Sequence, residues 1–316
     1  MVQWLLDKIS NDLLGEVKVV EMEYRMLGFE KKDAVRLYYY KYPNIGDILN
    51  EYLVEQIFHV KAIEEPHITA EMIAIGSVLD RLLKEGRISK KLLAMQKDAD
   101  KENPIHVWGT GLMYDYDTKQ EFIRPLKVHA VRGELTRKKV SEFLGKECKC
   151  VLADPGLLAS LLVPKNIEKK FDVGIIPHYV DADEPVMKEM KQCYENSVII
   201  NVKAEPMKVL KKIARCRTIV STSLHGLIIA DSFHIPNQWC VCSDRILGDG
   251  FKFRDYYSAF GLEAKPVDLR KDKLPDIVKI REEYAVTEAM VKQKQKELIR
   301  CFPYKTLRTY LKSYKI

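Results

Sequence analysis

The sequence predicts an α/β protein in which two parallel sheets, each covered by helices on both faces, face each other across a cleft. Three observations predict it. Short apolar runs alternate with helical stretches from about residue 35 to residue 242, the pattern of parallel strands joined by crossover helices. Glycine, aspartate and histidine gather just after those runs, and the carboxyl ends of strands are where open α/β sheets bind ligands. The stretch Leu161 to Lys170, with Pro164 and a polar Asn-Ile-Glu-Lys-Lys run, interrupts the alternation. It divides the chain into an N-terminal α/β domain (1–165), a second α/β domain (166–273) and a helical basic tail (274–316).

In chain order, Trp4, Leu5, Ile9 and Leu13 lie on one face of a helix over residues 1–14. Val17 to Met26 and Val35 to Tyr40 are rich in β-branched and aromatic residues and read as strands. Ile48 to Phe58 is helical. Met72 to Ile75 is a short strand ending at Gly76, and Leu79 to Leu83 reads as helix. Ile105 to Trp108 is a strand running into Gly109 and Gly111. Lys127 to Val131 is a strand, and after Arg132-Gly133 a helix runs through Phe143. Val151 to Ala153 precedes Asp154-Pro155-Gly156. The pattern resumes over Phe171 to Ile176, Ser197 to Asn201, Met207 to Ala214, Thr218 to Ser221, Leu227 to Ser232 and Asn237 to Cys242. A final helix from about Leu274 crosses back over the first domain.

The composition, 47% hydrophobic and 31% charged over 316 residues, excludes a disordered or collagen-like chain. No apolar run approaches the ~18 residues that span a bilayer. The first eighteen residues mix charge through their apolar positions, unlike a secretory signal, so a cytoplasmic protein is expected. Seven cysteines cannot all pair within the chain, and the Cys148/Cys150 and Cys240/Cys242 pairs lack zinc-ligand spacing. Reduced thiols and no metal site are expected. The net charge of +7 sits entirely in residues 291–316, where eight lysines and arginines stand against Glu297 alone. There Leu307, Tyr310, Leu311 and Tyr314 recur at helical spacing. Such a stretch either lies on an anionic membrane surface or packs its stripe on the body and solvates its lysines. With a neutral body and no other basic, aromatic-interleaved stretch, nucleic-acid binding is not expected.

Several motifs carry candidate chemistry. In Tyr42-Pro43-Asn44-Ile45-Gly46-Asp47, Asn44 and Gly46 suit a tight turn. Asp47 is either a helix cap or a carboxylate facing a substrate hydroxyl. Gly76 and the Gly109/Gly111 pair end strands and match no phosphate-loop pattern. Arg132, at a strand end, can hold a carboxylate or phosphate through two parallel hydrogen bonds. His178, in Ile176-Pro177-His178-Tyr179, is either a ligand contact or a loop residue satisfied by backbone. Asp154 reads as a turn carboxylate. Lys252 and Arg254, in Lys252-Phe253-Arg254-Asp255-Tyr256-Tyr257, are cations that either line the cleft or pack at the surface. The sharpest motif is Ser221-Thr222-Ser223-Leu224-His225-Gly226 before an apolar helix. The helix N-terminus offers unpaired N–H groups and the positive end of a dipole, a natural anion site. Ser221 and Ser223 can add hydrogen bonds, and His225 can donate a proton near neutral pH.

Taken together and in order, Asn44-Ile45-Gly46-Asp47, Val131 to Arg137, Asp154 to Leu158, Gly174 to Tyr179, Ser221 to Gly226 and Lys252 to Tyr257 resemble the polysaccharide pyruvyl transferase family over roughly residues 35–260. The chain departs from the family's usual pattern at Glu134, where proline is common, and at Ala153, where glycine is common. The resemblance implies a glycosyltransferase-B-like fold of two Rossmann-like domains. It implies phosphoenolpyruvate as donor, no cofactor, and a sugar acceptor, free or lipid-linked, that becomes a pyruvate ketal at the inner face of the membrane or on a polymer. Carried over, Ser223, Leu224, His225, Gly226 and Arg132 form the phosphoenolpyruvate site, with His225 as proton donor and Asp47 acting on the acceptor. Asn44, Gly46, His178, Ser221, Lys252 and Arg254 complete the expected substrate contacts. The competing reading is a nucleotide-sugar glycosyltransferase or epimerase of similar shape, with Asp255 as its ribose contact. A catalytically silent binding protein is a further alternative.

Overall fold

The structure, a computed structural model, describes residues 32–84 and 103–304. The helix expected over 1–14, the strand over 17–26 and the stripe from Leu307 to Tyr314 lie outside the described residues.

The first sheet is built from β1 (Ala34–Tyr38), β2 (Lys61–Glu64), β3 (Met72–Ile73), β4 (Ile105–Trp108), β5 (Leu126–Val131) and β6 (Val151–Leu152), in the order β2-β1-β3-β4-β5-β6. Helix α1 (Ile45–Phe58) follows β1, and α2 (Glu134–Leu144) follows β5. The second sheet contains β7 (Phe171–Ile176), β8 (Ser197–Ile199), β9 (Cys216–Ser221), β10 (Asn237–Val241) and β11 (Val267–Asp268), in the order β11-β10-β9-β7-β8. Between its strands lie α3 (Pro185–Cys193), α4 (Pro206–Ala214), α5 (Leu224–Ser232) and α6 (Phe251–Ser258). Every strand pair in both sheets is parallel, as the alternation of apolar runs and helices requires. Both sheets also share an order: the second strand lies on one side of the first, and all later strands lie on the other.

Side-chain alternation sorts the core. Ile105 and Val107 of β4 join an outer core with Val140 and Phe143 of α2. Trp108 turns the other way, after a register shift between Val107 and Trp108. Val173 and Ile175 of β7 join the outer core of the second sheet, while Ile176 faces inward. The inner core is shared by both halves. It includes Leu53 and Phe58 of α1, Leu157 and Leu158 of the 3-10 segment Pro155–Leu162, and Leu227 and Ile228 of α5.

Several expectations need correction. Leu79–Leu82 is a single 3-10 turn, too short for the expected helix. Strand β2 was not expected, because an edge strand with mostly exposed residues shows no apolar run. Helix α5 begins at Leu224, three residues earlier than the apolar pattern indicates, because its first turn holds His225 and Gly226. The segment around Lys252 is helix α6, and Phe251, Phe253 and Tyr256 are buried, so it does not pack at the surface. The final helix is two helices, α7 (Ile277–Glu282) and α8 (Glu288–Cys301). Helix α8 does cross back to the first sheet. Trp108 Nε1 donates to the Leu298 carbonyl at 3.1 Å, and Gln295 Nε2 to that of Leu157 at 2.7 Å. Val291, Leu298, Ile299 and Phe302 are buried there, so this part of the tail turns its apolar face to the body. Among the described residues no helix is long and apolar enough to cross a membrane.

The Phe302 ring stacks on Phe58 with centroids 3.7 Å apart and meets Trp108 edge-on at 4.8 Å. These contacts anchor the returning helix to the first domain. Phe302→Ala is expected to cost about 3–5 kcal/mol, the range for a truncated core aromatic. It would be read as a lower urea midpoint. A loss below about 1 kcal/mol would show that α8 is held elsewhere.

Candidate functional site

In a doubly wound sheet, the crevice that accepts ligands opens where strand order reverses. In the first sheet that point lies between β1 and β3, and in the second between β7 and β9. The loops leaving those four strands carry Asn44–Asp47, Gly76–Ser77, His178 and Ser221–His225. The two points meet. A Cβ at Gly46 would lie 2.1 Å from His225 Nδ1, so only glycine lets α1 of the first half approach the histidine of the second. The backbone joins there too, where the Ile45 N–H donates to the Val202 carbonyl at 2.8 Å.

The expected tight turn at Asn44-Gly46 is instead the start of a helix. Asn44 is the N-cap of α1, in an extended conformation. Asp47 is therefore a first-turn residue, not the cap. Asn44 Nδ2 donates to Asp47 Oδ2 at 2.9 Å and orients that carboxylate. Burial raises the Asp47 pKa to about 6, against the opposing pulls of the Asn44 hydrogen bond and the Lys252 charge. The buried Asn50 side chain exchanges two hydrogen bonds with the Ile75 backbone, fixing the loop after β3 on α1.

On the opposite side, Ser221 Oγ donates toward the Ile176 and Ser223 carbonyls and accepts from the Ser223 N–H. It locks the turn into α5 and is already occupied. Ser223 is the N-cap, but its side chain caps nothing. The N–H groups of Leu224, His225 and Gly226 belong to the first turn, which has no intrahelical acceptors. Gly226 lies against Ser221 Oγ and Ile176, where a Cβ would clash at 2.5 Å. His225 Nε2 is buried without a hydrogen-bond partner. The His178 ring lies against Tyr179, with centroids 4.4 Å apart.

Lys252 completes the site from α6. It is 8% exposed, and among the described residues its ammonium has no hydrogen-bond acceptor or carboxylate partner. Burial and the neighbouring Arg132 charge lower its pKa to about 8, while Asp47 and Asp181 pull upward. The same cations act on the histidines. Burial, then Lys252, Arg132 and His178, lower the His225 pKa to about 3. Burial and Lys252 lower that of His178 to about 4. Both imidazoles are therefore neutral at pH 7 in the unliganded protein. A histidine that donates a proton near neutral pH, as the sequence suggests, thus needs its pKa raised by what binds beside it. The floor of the site holds the buried Lys252 ammonium, unpaired among the described residues, beside Arg132, whose charge is paired with Asp255.

Arg132 contributes charge to this floor without reaching into open space. It is fully buried, and its guanidinium donates to Asp255 Oδ2 (2.9 Å), Ser77 Oγ (2.7 Å) and the Leu112 carbonyl (2.6 Å). Asp255 is equally buried and accepts in addition from the Thr136 N–H and hydroxyl. That occupies Asp255 as a strut and leaves no free carboxylate for a ribose. Arg254 is exposed and donates to the Asp249 carbonyl, turned back on its own loop rather than joining the patch. Asp154 was read as a turn carboxylate, and it is the N-cap of the 3-10 segment, accepting from the Gly156 N–H at 2.8 Å. It is also fully buried, its Oδ2 has no partner, and burial raises its pKa to about 7. A Cβ at Gly156 would lie within 4 Å of both Asp154 Oδ1 and the His225 ring, so Asp154 belongs to the site's surroundings. Its signal in the sequence was a charge set in an apolar run, Val151 to Leu158.

A family model described as polysaccharide pyruvyl transferase matches residues 44–243, the span from the α1 cap to the end of the second crevice. An uncharacterised protein, L143, of Acanthamoeba polyphaga mimivirus is 28% identical over 238 residues, covering 74% of this chain and 76% of that protein. The succinoglycan biosynthesis protein ExoV of Rhizobium meliloti (strain 1021) is 25% identical over 232 residues, covering 72% of this chain and 66% of that protein. A solved structure of an uncharacterised Klebsiella pneumoniae protein aligns over 82% of this chain and 99% of its own, at 10% identity and a TM-score of 0.43.

The buried Asp154 carboxyl sets a pH dependence of stability. Its folded pKa lies above the unfolded value, so the native state prefers it neutral. Stability from this group is intact below about pH 4, falls as pH rises toward about 7, and is then level. Asp154→Asn keeps the acceptor for Gly156 and removes the buried charge. Relative to the parent, the variant should gain on the order of 2–3 kcal/mol between pH 5 and pH 8. Denaturant titrations showing the same gap at both pH values would refute this.

Proposed function

This chain belongs to the polysaccharide pyruvyl transferase family, and from that premise we propose that it moves the enolpyruvyl group of phosphoenolpyruvate onto two hydroxyls of one sugar, forming a pyruvate ketal. The observation that carries the reading is the buried cationic floor. Among the described residues Lys252 has no hydrogen-bond or carboxylate partner, its ammonium lying 5.7 Å from the Phe253 ring centroid, Arg132 lends its charge, and the first turn of α5 offers unpaired N–H groups. Phosphoenolpyruvate brings a phosphate and a carboxylate to such a floor. The arrangement we propose is glycosyltransferase-B-like, with residues 1–165 on the acceptor side, 166–273 on the donor side and 274–316 returning across the first domain.

The step balances without a cofactor. The methylene carbon of the donor gains a proton, leaving an oxocarbenium-like centre at C2. One sugar hydroxyl adds at C2, phosphate departs, and a second hydroxyl of the same sugar closes the ring. Two hydroxyl protons are released. One replaces the proton delivered to the methyl group, and the other leaves with inorganic phosphate. We assign proton delivery to His225, beside the anion site, and orientation and deprotonation of the acceptor hydroxyl to Asp47 across the cleft. His225 is neutral until the donor arrives. Burial first, and then the Lys252 and Arg132 charges, depress its pKa; the donor's negative charges oppose the second of these and so favour protonation of the imidazole.

The donor assignment is tested by thermal shift. Phosphoenolpyruvate at about 100 times its Kd should stabilise the protein by roughly 2.7 kcal/mol. UDP or inorganic phosphate should do less, and Lys252→Ala should abolish the effect. A shift with UDP alone would overturn the donor. Calorimetry in two buffers of different ionisation enthalpy should show more proton uptake on phosphoenolpyruvate binding in the parent than in His225→Gln, the remainder coming from Asp47 and Lys252. Equal uptake in both proteins would remove His225 as the acid.

Asp47 is tested by its pH limb. It must be ionised to accept a proton, so at saturating donor the rate should climb as pH rises through about 6 or somewhat above, because the bound anion holds the proton more tightly. Asp47→Asn should cost on the order of 10² to 10⁴ in rate and lose that limb. An unchanged rate and profile would end the assignment.

A further inference from the structure

At the mouth of the cleft, above the charged floor, stand aromatic residues that the donor chemistry does not use. Tyr42 leaves the first half just before the α1 cap, and Tyr179 follows His178 in the second half. Their ring centroids are 5.2 Å apart, tilted by 49°. Lys203 holds its ammonium over both rings, 5.3 Å from Tyr42 and 5.2 Å from Tyr179. Tyr42 is 37% exposed and the adjacent Tyr40 is 53% exposed. Among the described residues, no hydrogen-bond partner reaches the Tyr40, Tyr42 or Tyr179 hydroxyls. The cluster connects directly to the site, since Tyr179 lies against His178 and shares its electrostatic surroundings with Asp47, Tyr40 and Tyr42. Exposed rings of this kind in a soluble surface call for a partner with an apolar face and a polar edge.

We propose that Tyr42 and Tyr179, bridged by Lys203, form the acceptor subsite and hold a pyranose ring of the acceptor by stacking against its C–H face. The proposal rests on the pyruvyl-transfer reading above and names the part of the site that selects the sugar. A pyranose offers axial C–H groups to an aromatic face and hydroxyls to its surroundings. The free phenol hydroxyls and the Lys203 ammonium supply donors and acceptors for those hydroxyls. Because one tyrosine comes from each half, the sugar is gripped only when the two crevices face each other. It is then placed over Asp47.

The test uses the full chain and a panel of methyl pyranosides (gluco, galacto and manno) in saturation-transfer NMR. At least one sugar should receive saturation at its ring C–H protons. Tyr42→Ala and Tyr179→Ala should each weaken that binding by about tenfold, the scale of one lost aromatic contact. Tyr42→Phe and Tyr179→Phe should retain most of it, and melting temperatures should stay unchanged because the side chains are partly exposed. No transfer to any sugar, alanine variants that bind like the parent, or phenylalanine variants as weak as the alanine ones would each overturn the stacking subsite. The result is separable from the donor assignment. Sugar binding through these rings together with no thermal shift from phosphoenolpyruvate would keep this subsite and remove the pyruvyl donor. The converse result would do the opposite.

Discussion

The Arg132–Asp255 pair is the interaction on which the geometry of the cleft depends. Both side chains are fully buried, and they belong to different halves of the chain, Arg132 at the end of β5 and Asp255 in α6. The pair does not stand alone. Asp255 also takes both Thr136 donors, and Arg132 also holds Ser77 and the Leu112 carbonyl. Gly133 sits where a Cβ would come within 1.7 Å of the Asp255 carbonyl oxygen, so α2 and α6 meet at backbone distance. Burying two charges is costly, and such a pair adds little net stability over a well-packed apolar contact. What it supplies is register. With α6 pinned to the end of β5, Lys252 is placed beneath the cleft and α5 is brought against α1, and His225 meets Gly46.

That register creates an electrostatic imbalance. Arg132 is neutralised by Asp255, yet its charge still acts on its neighbours, and Lys252 has no counterion. Burial, with those charges behind it, lowers the His225 and His178 pKa values, and burial raises those of Asp47 and Asp154. Each group is held in its neutral form over a range where it would ordinarily be charged. A site in this condition is far from its charge balance until an anion enters. An anion arriving there gains from Lys252 and from the first turn of α5 at once, without having to break existing ion pairs. Preorganised polarity of this kind favours charge that develops during reaction.

The fold was legible where burial on two faces writes apolar runs into the sequence, as in Ile105–Trp108, Phe171–Ile176 and Cys216–Ser221. It was illegible where an element is an exposed edge, as at Lys61–Glu64, or where a helix begins in polar residues, as at Leu224. The site was legible as a set of residues: Asn44, Gly46, Asp47, His178, Ser221 to Gly226 and Lys252 do converge. Their roles were less so, because role depends on partners distant in sequence. Gly46 reads as a turn glycine until His225, 179 positions away, takes the space of its missing Cβ. Arg132 reads as an open anion clamp until Asp255 fills it. No local pattern records how deeply a histidine is buried or whether its neighbours are cations, and burial first, then those cations, set the charge state of His225.

The depth of the site orders its contents. Exposure rises from the floor, where Lys252 and His225 Nε2 are enclosed, through half-buried Asp47, to Tyr42 and Tyr40 at the mouth. The chemistry changes along the same path, from the buried Lys252 ammonium to phenol hydroxyls and the Lys203 ammonium at the mouth. A small, highly anionic molecule is matched to the floor and a neutral, ring-shaped one to the mouth. On the proposed subsite, a neutral ring stacked on the Tyr42–Tyr179 pair would lie over the route to Lys252. On the proposed chemistry the donor therefore has to enter first. On that proposal the donor's charge reaches His225 before the acceptor covers the cleft, so the acid is ready only when there is a donor to protonate.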